Sequence, residues 1–425
     1  MKKIKNILIL SGGDSTRFWP LSEKSFFNFL GKPLILYQLE ELSKYGEKLT
    51  VIASKKNAVF MNQLIKNSQL DEITQVIIQK ENLEGQAGAV ISAKNLIKGD
   101  VLVVNANDIL DYSSILTKIT GLLPFKNTLI IVSKKINEYF PGGYLKFSDK
   151  DEIIEILEKP GRENMPSNFS KLVVDYVSDF DILVKALENV KTTNDDQYEQ
   201  GLNELLRSDI IRQHITYEGY WHTLKYPWHV LTMLHTLLLN LKEQHISKTA
   251  KISKNAEVTG PVFIGEDVRI GDFVKIAGPV YIGDNTIIGD YSLIRDSQIG
   301  EDCLIGSFNE VARSYIANKV FLHRNYVGDS VLDQDVMFGA QAVTANLRFD
   351  GVHVASDVNK ERIDTGLMKF GTIVGAKSKI GVNSTITPGV KIGKNCQIAP
   401  GEKVSKDLAD VTYQVGGITR PNTKI

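Results

Sequence analysis

Two glycines placed directly behind a short aliphatic run are the first chemically suggestive feature of this chain. Leu10-Ser11-Gly12-Gly13-Asp14-Ser15-Thr16-Arg17 closes the apolar stretch Ile7–Leu10 and leads into Pro20-Leu21-Ser22-Glu23-Lys24. Glycines after a strand let backbone N–H groups approach a phosphate chain closely, and Arg17 and Lys24 can then neutralise its charge. Taken alone, the same residues also fit a plain strand-to-loop turn with two solvated cations.

The surrounding elements say where such a turn would stand. Ile7–Leu10, Leu49–Ile52, Val76–Ile78, Val101–Val104 and Leu129–Val132 read as buried strands rich in Ile, Val and Leu. Leu34–Ser43, Ala58–Lys66 and Ala87–Leu96 carry helical spacing between them. Apolar strands alternating with helices predict an α/β unit with a parallel or mostly parallel sheet. Ligands of such sheets sit at the carboxyl ends of the strands, so the loops after the first and fourth strands are the places to look.

The second half follows another rule. From Ile252 an aliphatic residue recurs at every sixth position, through Val258, Ile264, Ile270, Ile276, Ile282, Ile288 and Ile294. The register returns at Val374, Ile380, Ile386, Ile392, Ile398 and Val404, and Gly265, Gly271, Gly283 and Gly289 directly follow such residues. A period of six fits neither a helix nor an alternating strand; it is the hexapeptide pattern of a parallel β-helix, whose coil buries one aliphatic residue per side. Steps of five, such as Ile294 to Ile299, tighten a few turns, and Ala345 to Lys369 carries no hexapeptide pattern and is expected to leave the coil as a loop. Trp228 to Leu241 reads as a linking helix and Lys242 to Lys251 as the connection into the coil.

Composition narrows the function classes. Fifty basic residues balance fifty acidic ones among 425, which removes the overall electrostatic signature of a nucleic-acid or anionic-membrane binder. The apolar run near the N-terminus stops after Leu10, short of the roughly 7–15 residues of a signal peptide. No stretch approaches the roughly 20 apolar residues that cross a bilayer. Cys303 and Cys396 cannot make a disulfide framework and fit a reducing compartment, so a soluble cytoplasmic protein is expected.

Read whole, Gly12-Gly13-Asp14-Ser15-Thr16-Arg17-Phe18-Trp19-Pro20-Leu21, Glu23-Lys24 and Gly31-Lys32-Pro33 resemble the signature of sugar-1-phosphate nucleotidylyltransferases. Gln79, Gly85-Gln86-Ala87-Gly88-Ala89, Asn107-Asp108, Gly143 and Glu158-Lys159-Pro160 continue the likeness in order. The resemblance implies a Rossmann-like nucleotidyltransferase domain in which Gly12, Gly13, Gln79 and Gly85 meet the nucleotide. It further implies that Arg17 holds the leaving pyrophosphate, Lys24 the triphosphate and Asp108 a Mg²⁺ ion. Gly143, Glu158 and Lys159 would bind the sugar phosphate. Ser15, Glu23 and Asn107 depart from the family pattern, and Thr223 stands where many relatives carry a second metal carboxylate.

In the repeat region, Leu322-His323-Arg324-Asn325-Tyr326-Val327-Gly328-Asp329-Ser330 resembles the catalytic stretch of glucosamine-1-phosphate acetyltransferases. Acetyl transfer needs a deprotonated amine, and a neutral imidazole, ordinarily of pKa about 6.5, can serve as base. The resemblance implies His323 as that base, Tyr326 lining the site, Arg295 and Arg313 on the sugar phosphate, and Asn346 meeting coenzyme A. Ala312 replaces the family's phosphate-binding Lys.

The overall arrangement is similar to bifunctional uridyltransferase/acetyltransferases of archaeal type. It implies a nucleotidyltransferase domain over 1–227, a linker helix over 228–249, a left-handed β-helix over 250–405 and a tail over 406–425. Expected substrates are UTP or dTTP, a sugar-1-phosphate and acetyl-CoA; the expected assembly is a homotrimer. Two alternatives stay open on the residues alone. One is nucleotidyl transfer with the β-helix as a trimerisation module; the other is a non-catalytic sugar-nucleotide sensor.

Overall fold

The structure, a computed structural model, describes residues 2–13 and 15–422; Asp14 of the glycine motif and residues 423–425 of the tail lie outside the described residues. The chain separates into two compact units. One comprises Met1–Asp14 with Ile35–Trp221, the other Ser15–Leu34 with His222–Ile425.

The first unit is built on a nine-stranded sheet. Ile4–Ser11 pairs in parallel with Gly46–Ala53 on one side and Val101–Asn105 on the other, and Gly46–Ala53 pairs in parallel with Thr74–Ile78. Beyond Val101–Asn105 the strand Phe169–Val177 runs antiparallel, so the sheet is mixed toward that edge. All five aliphatic runs lie in strands; four are buried on both sheet faces, where β-branched side chains pack well, while Val76–Ile78, on the edge strand, is only partly covered. Leu8, Leu10, Val101 and Val103 pack on one face with Val90, Leu183, Leu187 and Leu202 of the helices Gly85–Ser92, Phe180–Asn189 and Gln197–Leu206. Ile7 and Ile9 point the other way and are equally buried. Each such side chain contributes roughly 1.5–3 kcal/mol of burial free energy. Asp111 and Asp179 cap the helices Tyr112–Leu122 and Phe180–Asn189 by accepting from the Ser114 and Asp181 amides.

In the second unit the six-residue pattern becomes three columns of a coil. One runs Ile252, Ile270, Ile288, Ile305, Leu322, Phe338, Ile380, Ile398. A second runs Val258, Ile276, Ile294, Val311, Val327, and the third Ile246, Ile264, Ile282, Ile299, Ile316, Leu332, Val374, Ile392. All strand pairs that form these columns are parallel, and the columns meet in one apolar core. The glycine that follows many of these aliphatic residues has a steric cause. A Cβ built on Gly265 would lie 2.1 Å from Asp284 Oδ1 of the next coil, the oxygen that accepts from the Glu266 amide at 2.7 Å. Cys303 is buried in the core, and burial pushes its thiol up to about 12, which makes it an unreactive packing group.

Three segments differ from the sequence reading. Gln244–Ile246 already pairs with Val262–Ile264, so the coil begins within the expected connection. The insertion expected as a loop folds as an antiparallel hairpin, Val354–Val358 with Glu361–Leu367. Its polar residues face solvent on alternate positions, a period of two that a search for six passes over. The tail adds another hairpin, Thr412–Val415 with Ile418–Pro421.

Candidate functional site

In the first unit the strands Ile4–Ser11, Gly46–Ala53, Thr74–Ile78 and Val101–Asn105 end side by side, with Leu10 opposite Asn105, Ser11 opposite Ala53 and Ala53 opposite Ile78. That brings the residues following three of them to one rim. Gly12 and Gly13 follow the first, Gln79 the third and Asp108 the fourth.

From Gly12 a continuous line of contacts runs to the sugar-phosphate candidates. A Cβ on Gly12 would lie 1.9 Å from Gln79 Oε1, so only glycine fits there without moving that side chain. The Gln79 amide donates to Leu83 O at 2.8 Å and to Gly85 O at 3.2 Å. Gly85 has φ +63°, a left-handed conformation that favours glycine, and it opens the helix Gly85–Ser92. Asp195 borders Gly85, 3.4 Å from the Cβ position, and accepts from Lys159 Nζ at 3.0 Å. Lys159 Nζ also lies 3.1 Å from Glu158 Oε1, and Glu158 Oε2 borders Gly143. Burial works against the Lys159 charge, but Glu158 and Asp195 outweigh it and hold the ammonium pKa above its ordinary value.

Behind Gly143 stands a buried polar group that sequence reasoning missed. Lys171 Nζ lies 2.6 Å from Asp175 Oδ2, which also accepts from Tyr198 OH at 2.9 Å. Burial, reinforced by the Glu158 charge, pushes the neighbouring Glu199 well above the usual carboxylate range. Asp195 was missed too. It stands in the polar turn before the helix Gln197–Leu206, where nothing local separates it from a solvated acid.

Asp108 is only 3% exposed. Its Oδ1 accepts from Asn105 Nδ2 at 3.1 Å, its Oδ2 from Trp221 Nε1 at 3.3 Å, and Gln38 donates to its backbone carbonyl. Among the described residues no three His, Cys, Asp or Glu side chains gather as a metal cage. A single anchored carboxylate fits Mg²⁺, which keeps waters and takes its remaining oxygens from substrate phosphates. Thr223 lies in the second unit, where its carbonyl accepts from His229 Nδ1 at 2.7 Å. Burial lowers the His229 pKa to about 4, so that imidazole is neutral at pH 7.

The cations Arg17 and Lys24 belong to the second unit, in the segment Ser15–Leu34. Arg17 is exposed in the short turn Thr16–Phe18, and Lys24 Nζ lies 5.8 Å from the centre of the Phe18 ring.

A second constellation lies on one side of the coil. The strands Leu293–Ile299, Glu310–Ala312 and Tyr326–Gly328 stack in parallel there. Arg295 Nη2 reaches back to Glu310 Oε1, on the first residue of its strand, at 2.7 Å, and past the carboxyl ends Arg313 grips Asp329 bidentately at 2.7 and 2.8 Å. The Asp329 bonds, acting against burial, raise the Arg313 pKa further. Asn346 Nδ2 donates to Tyr326 OH at 3.0 Å and to Asp329. Arg313, Tyr326 and Asn346 are thus brought together through Asp329, and Arg295 joins them by backbone, its carbonyl accepting from the Arg313 amide at 3.0 Å. His323 is exposed beyond the opposite, amino end of Tyr326–Gly328, six residues before Asp329. Within one chain the imidazole and Arg313 therefore occupy two edges of one face.

Comparison with known proteins agrees with both halves. Residues 6–223 match the nucleotidyl transferase family, 261–296 the bacterial transferase hexapeptide (six repeats), and 371–401 the hexapeptide repeat of succinyl-transferase. A bifunctional sugar-1-phosphate nucleotidylyltransferase/acetyltransferase of Sulfurisphaera tokodaii is 34% identical, covering 90% of this chain and 92% of its own. Proteins called bifunctional protein GlmU from Methanococcus vannielii and Methanococcus maripaludis are 31% and 33% identical, each over 90% of this chain and 91% and 90% of their own.

Proposed function

The chain belongs to the bifunctional sugar-1-phosphate nucleotidylyltransferase/acetyltransferase family, and we propose that it performs both transfers. The first unit carries nucleotidyl transfer from a nucleoside triphosphate, UTP or dTTP, to a sugar-1-phosphate. The β-helix carries acetyl transfer from acetyl-CoA to an amino-sugar-1-phosphate. The observation that carries the first reading is the unbroken line from Gly12 through Gln79 and Gly85 to Lys159, Glu158 and Gly143.

In the nucleotidyl reaction an oxygen of the sugar phosphate forms a bond to the α-phosphorus while the α–β bridging bond breaks, and pyrophosphate leaves with the electron pair. The protein's part is positioning and charge neutralisation. Gly12 and Gly13 offer backbone amides to the triphosphate, and Gln79 and Gly85 border the nucleoside. Lys159 holds the acceptor's phosphate, exchanging its Asp195 partner for it, while Glu158 and Gly143 receive the sugar. Arg17 and Lys24 neutralise the leaving pyrophosphate and the triphosphate. Asp108 would hold Mg²⁺, which supplies charge neutralisation on the phosphate oxygens.

In the acetyl reaction the amine nitrogen attacks the thioester carbonyl, the C–S bond breaks and coenzyme A leaves as thiolate. His323 takes the proton released by the amine. Arg313 and Arg295 meet the sugar phosphate by exchanging their carboxylate partners for it, Tyr326 lines the pocket and Asn346 meets coenzyme A. The separation of His323 from Arg313 along one face favours a site completed by a second copy, hence a trimer. A cytoplasmic setting suits the two free thiols Cys303 and Cys396, both buried.

The test is pyrophosphate release from a panel of nucleoside triphosphates and sugar-1-phosphates with Mg²⁺, run beside acetyl-CoA consumption with glucosamine-1-phosphate. Release without acetyl consumption would leave the β-helix an assembly module. Silence in both, with nucleotide still bound, would make the protein a sensor.

A further inference from the structure

The segment bearing Arg17 and Lys24 is unusually apolar for a loop: Phe18, Trp19, Phe26, Phe27 and Phe29 crowd into twelve positions. Such side chains need a surface to cover them, and the coil supplies it. Phe27 and Phe29 are 6% and 0% exposed, with ring centres 4.8 and 5.9 Å from that of Tyr315, itself buried on the coil's third side. Tyr315 OH donates to Asn28 O at 2.7 Å, and Gln298 Oε1 accepts from the Leu30 amide at 2.7 Å. Leu30 and Gly31 are consecutive left-handed residues, φ +48° and +78°, turning Asn28–Phe29 back onto Lys32–Pro33. A Cβ on Gly31 would lie 2.4 Å from Tyr281 OH, so the turn rests directly on the coil. On the other side of Lys24, Trp19 Nε1 donates to Asp410 Oδ1 at 2.9 Å, and Lys391 Nζ sits 5.5 Å from the centre of the Trp19 ring.

We propose that the coil is part of the nucleotidyl machinery: Tyr315 and Gln298 are positioning residues that hold the segment presenting Arg17 and Lys24. This rests on the nucleotidyl reading above. Contacts flank Lys24 on both sides, and those of Tyr315 and Gln298, on its C-terminal side, hold backbone groups, Asn28 O and Leu30 N–H, which fixes where the chain runs rather than one rotamer. Cations that neutralise a triphosphate act best when held before the reaction, and a displacement of about 1 Å can cost up to a hundredfold. The β-helix would thereby serve two reactions, and its third side would be tied to the first of them.

The test uses the full-length chain with Tyr315→Phe and Gln298→Ala, singly and together, which keep the ring and the coil. The double variant should lose at least about tenfold in kcat/KM for pyrophosphate release, with the KM for triphosphate raised and that for sugar-1-phosphate unchanged. Acetyl transfer should stay within about twofold as the control for folding. Hydrogen exchange at the Leu30 and Leu34 amides should speed up in the same variant. Pyrophosphate release at the unmodified rate, or exchange at Leu30 unaltered, overturns the inference. A loss spread equally over both KM values, or shared by acetyl transfer, overturns it as well. Silence of the unmodified chain overturns the functional reading and this inference with it, so the two failures are told apart.

Discussion

The ammonium of Lys159 lies 3.0 Å from the carboxylate of Asp195, a residue that also borders Gly85. In the reaction proposed above, Asp195 competes with the acceptor phosphate for Lys159. It is largely exposed, so the pair itself adds little stability. Replacing Asp195 by Asn removes a competing anion, and the KM for sugar-1-phosphate should fall a few-fold. Lys159→Ala should raise it about tenfold or more, the scale of a lost charge-assisted hydrogen bond. Initial rates against sugar-1-phosphate concentration separate the two variants; a KM that moves the same way in both would contradict the exchange.

Asp108 is held in place by Asn105 and Trp221, so its carboxylate is oriented before any ligand arrives. Asp108→Asn should reduce pyrophosphate release at least about a hundredfold, as expected when a preorganised charge is removed from a phosphoryl-transfer site. Acetyl transfer should survive. A Mg²⁺ titration of the remaining rate should shift to higher concentration in the variant, and an unchanged titration would remove Asp108 from metal binding.

His323→Ala should lower acetyl transfer about a hundredfold to ten-thousandfold, the range of general base catalysis, without altering pyrophosphate release. The residual acetyl rate should also lose its dependence on an ionising group. Coenzyme A release followed with a thiol reagent between pH 5 and 9 reads both effects.

His229 is nearly fully buried, and burial lowers its pKa from about 6.5 to about 4. The unfolded chain therefore binds a proton that the folded chain refuses. Stability from this group is complete above about pH 6.5 and lost as the pH falls toward 4, by up to roughly 3 kcal/mol. Denaturant titrations at pH 7 and pH 4.5 should show this loss, and His229→Gln should flatten it.

In the coil core, Ile305 is fully buried between Ile288 and Leu322. Ile305→Ala should cost about 2–5 kcal/mol, seen as a lower melting temperature of the second unit. A change under about 1 kcal/mol would mean that the core collapses around the gap.

Much of this was legible from periodicity and order. A repeat of six with glycine behind many of the aliphatic residues has one economical solution, and Ile270, Ile288 and Ile305 lie where that solution puts them. Four of the five strand runs were legible for a related reason, since a segment buried on both faces must be apolar throughout. The hairpin Val354–Val358 with Glu361–Leu367 was not, because its aliphatic residues, such as the buried Val354 and Val358, do not recur at the six-residue spacing. Of the site, glycines and charged residues in a familiar order were readable. Asp195 and Lys171 were not, since each acquires its meaning from a partner: Gly85 and Lys159 for the first, Asp175 for the second.

By itself the amino-acid order determined the two architectures and the residue types able to handle phosphate and amine, because burial periodicity and glycine placement act over a few neighbouring positions. Only the tertiary structure decided which charges meet, since an ion pair such as Arg313 with Asp329 joins successive turns of the coil. It also decided that Tyr315 and Gln298 hold the backbone near Lys24, across nearly three hundred residues of chain. Contacts of that range depend on how the whole coil winds, and no local pattern encodes them.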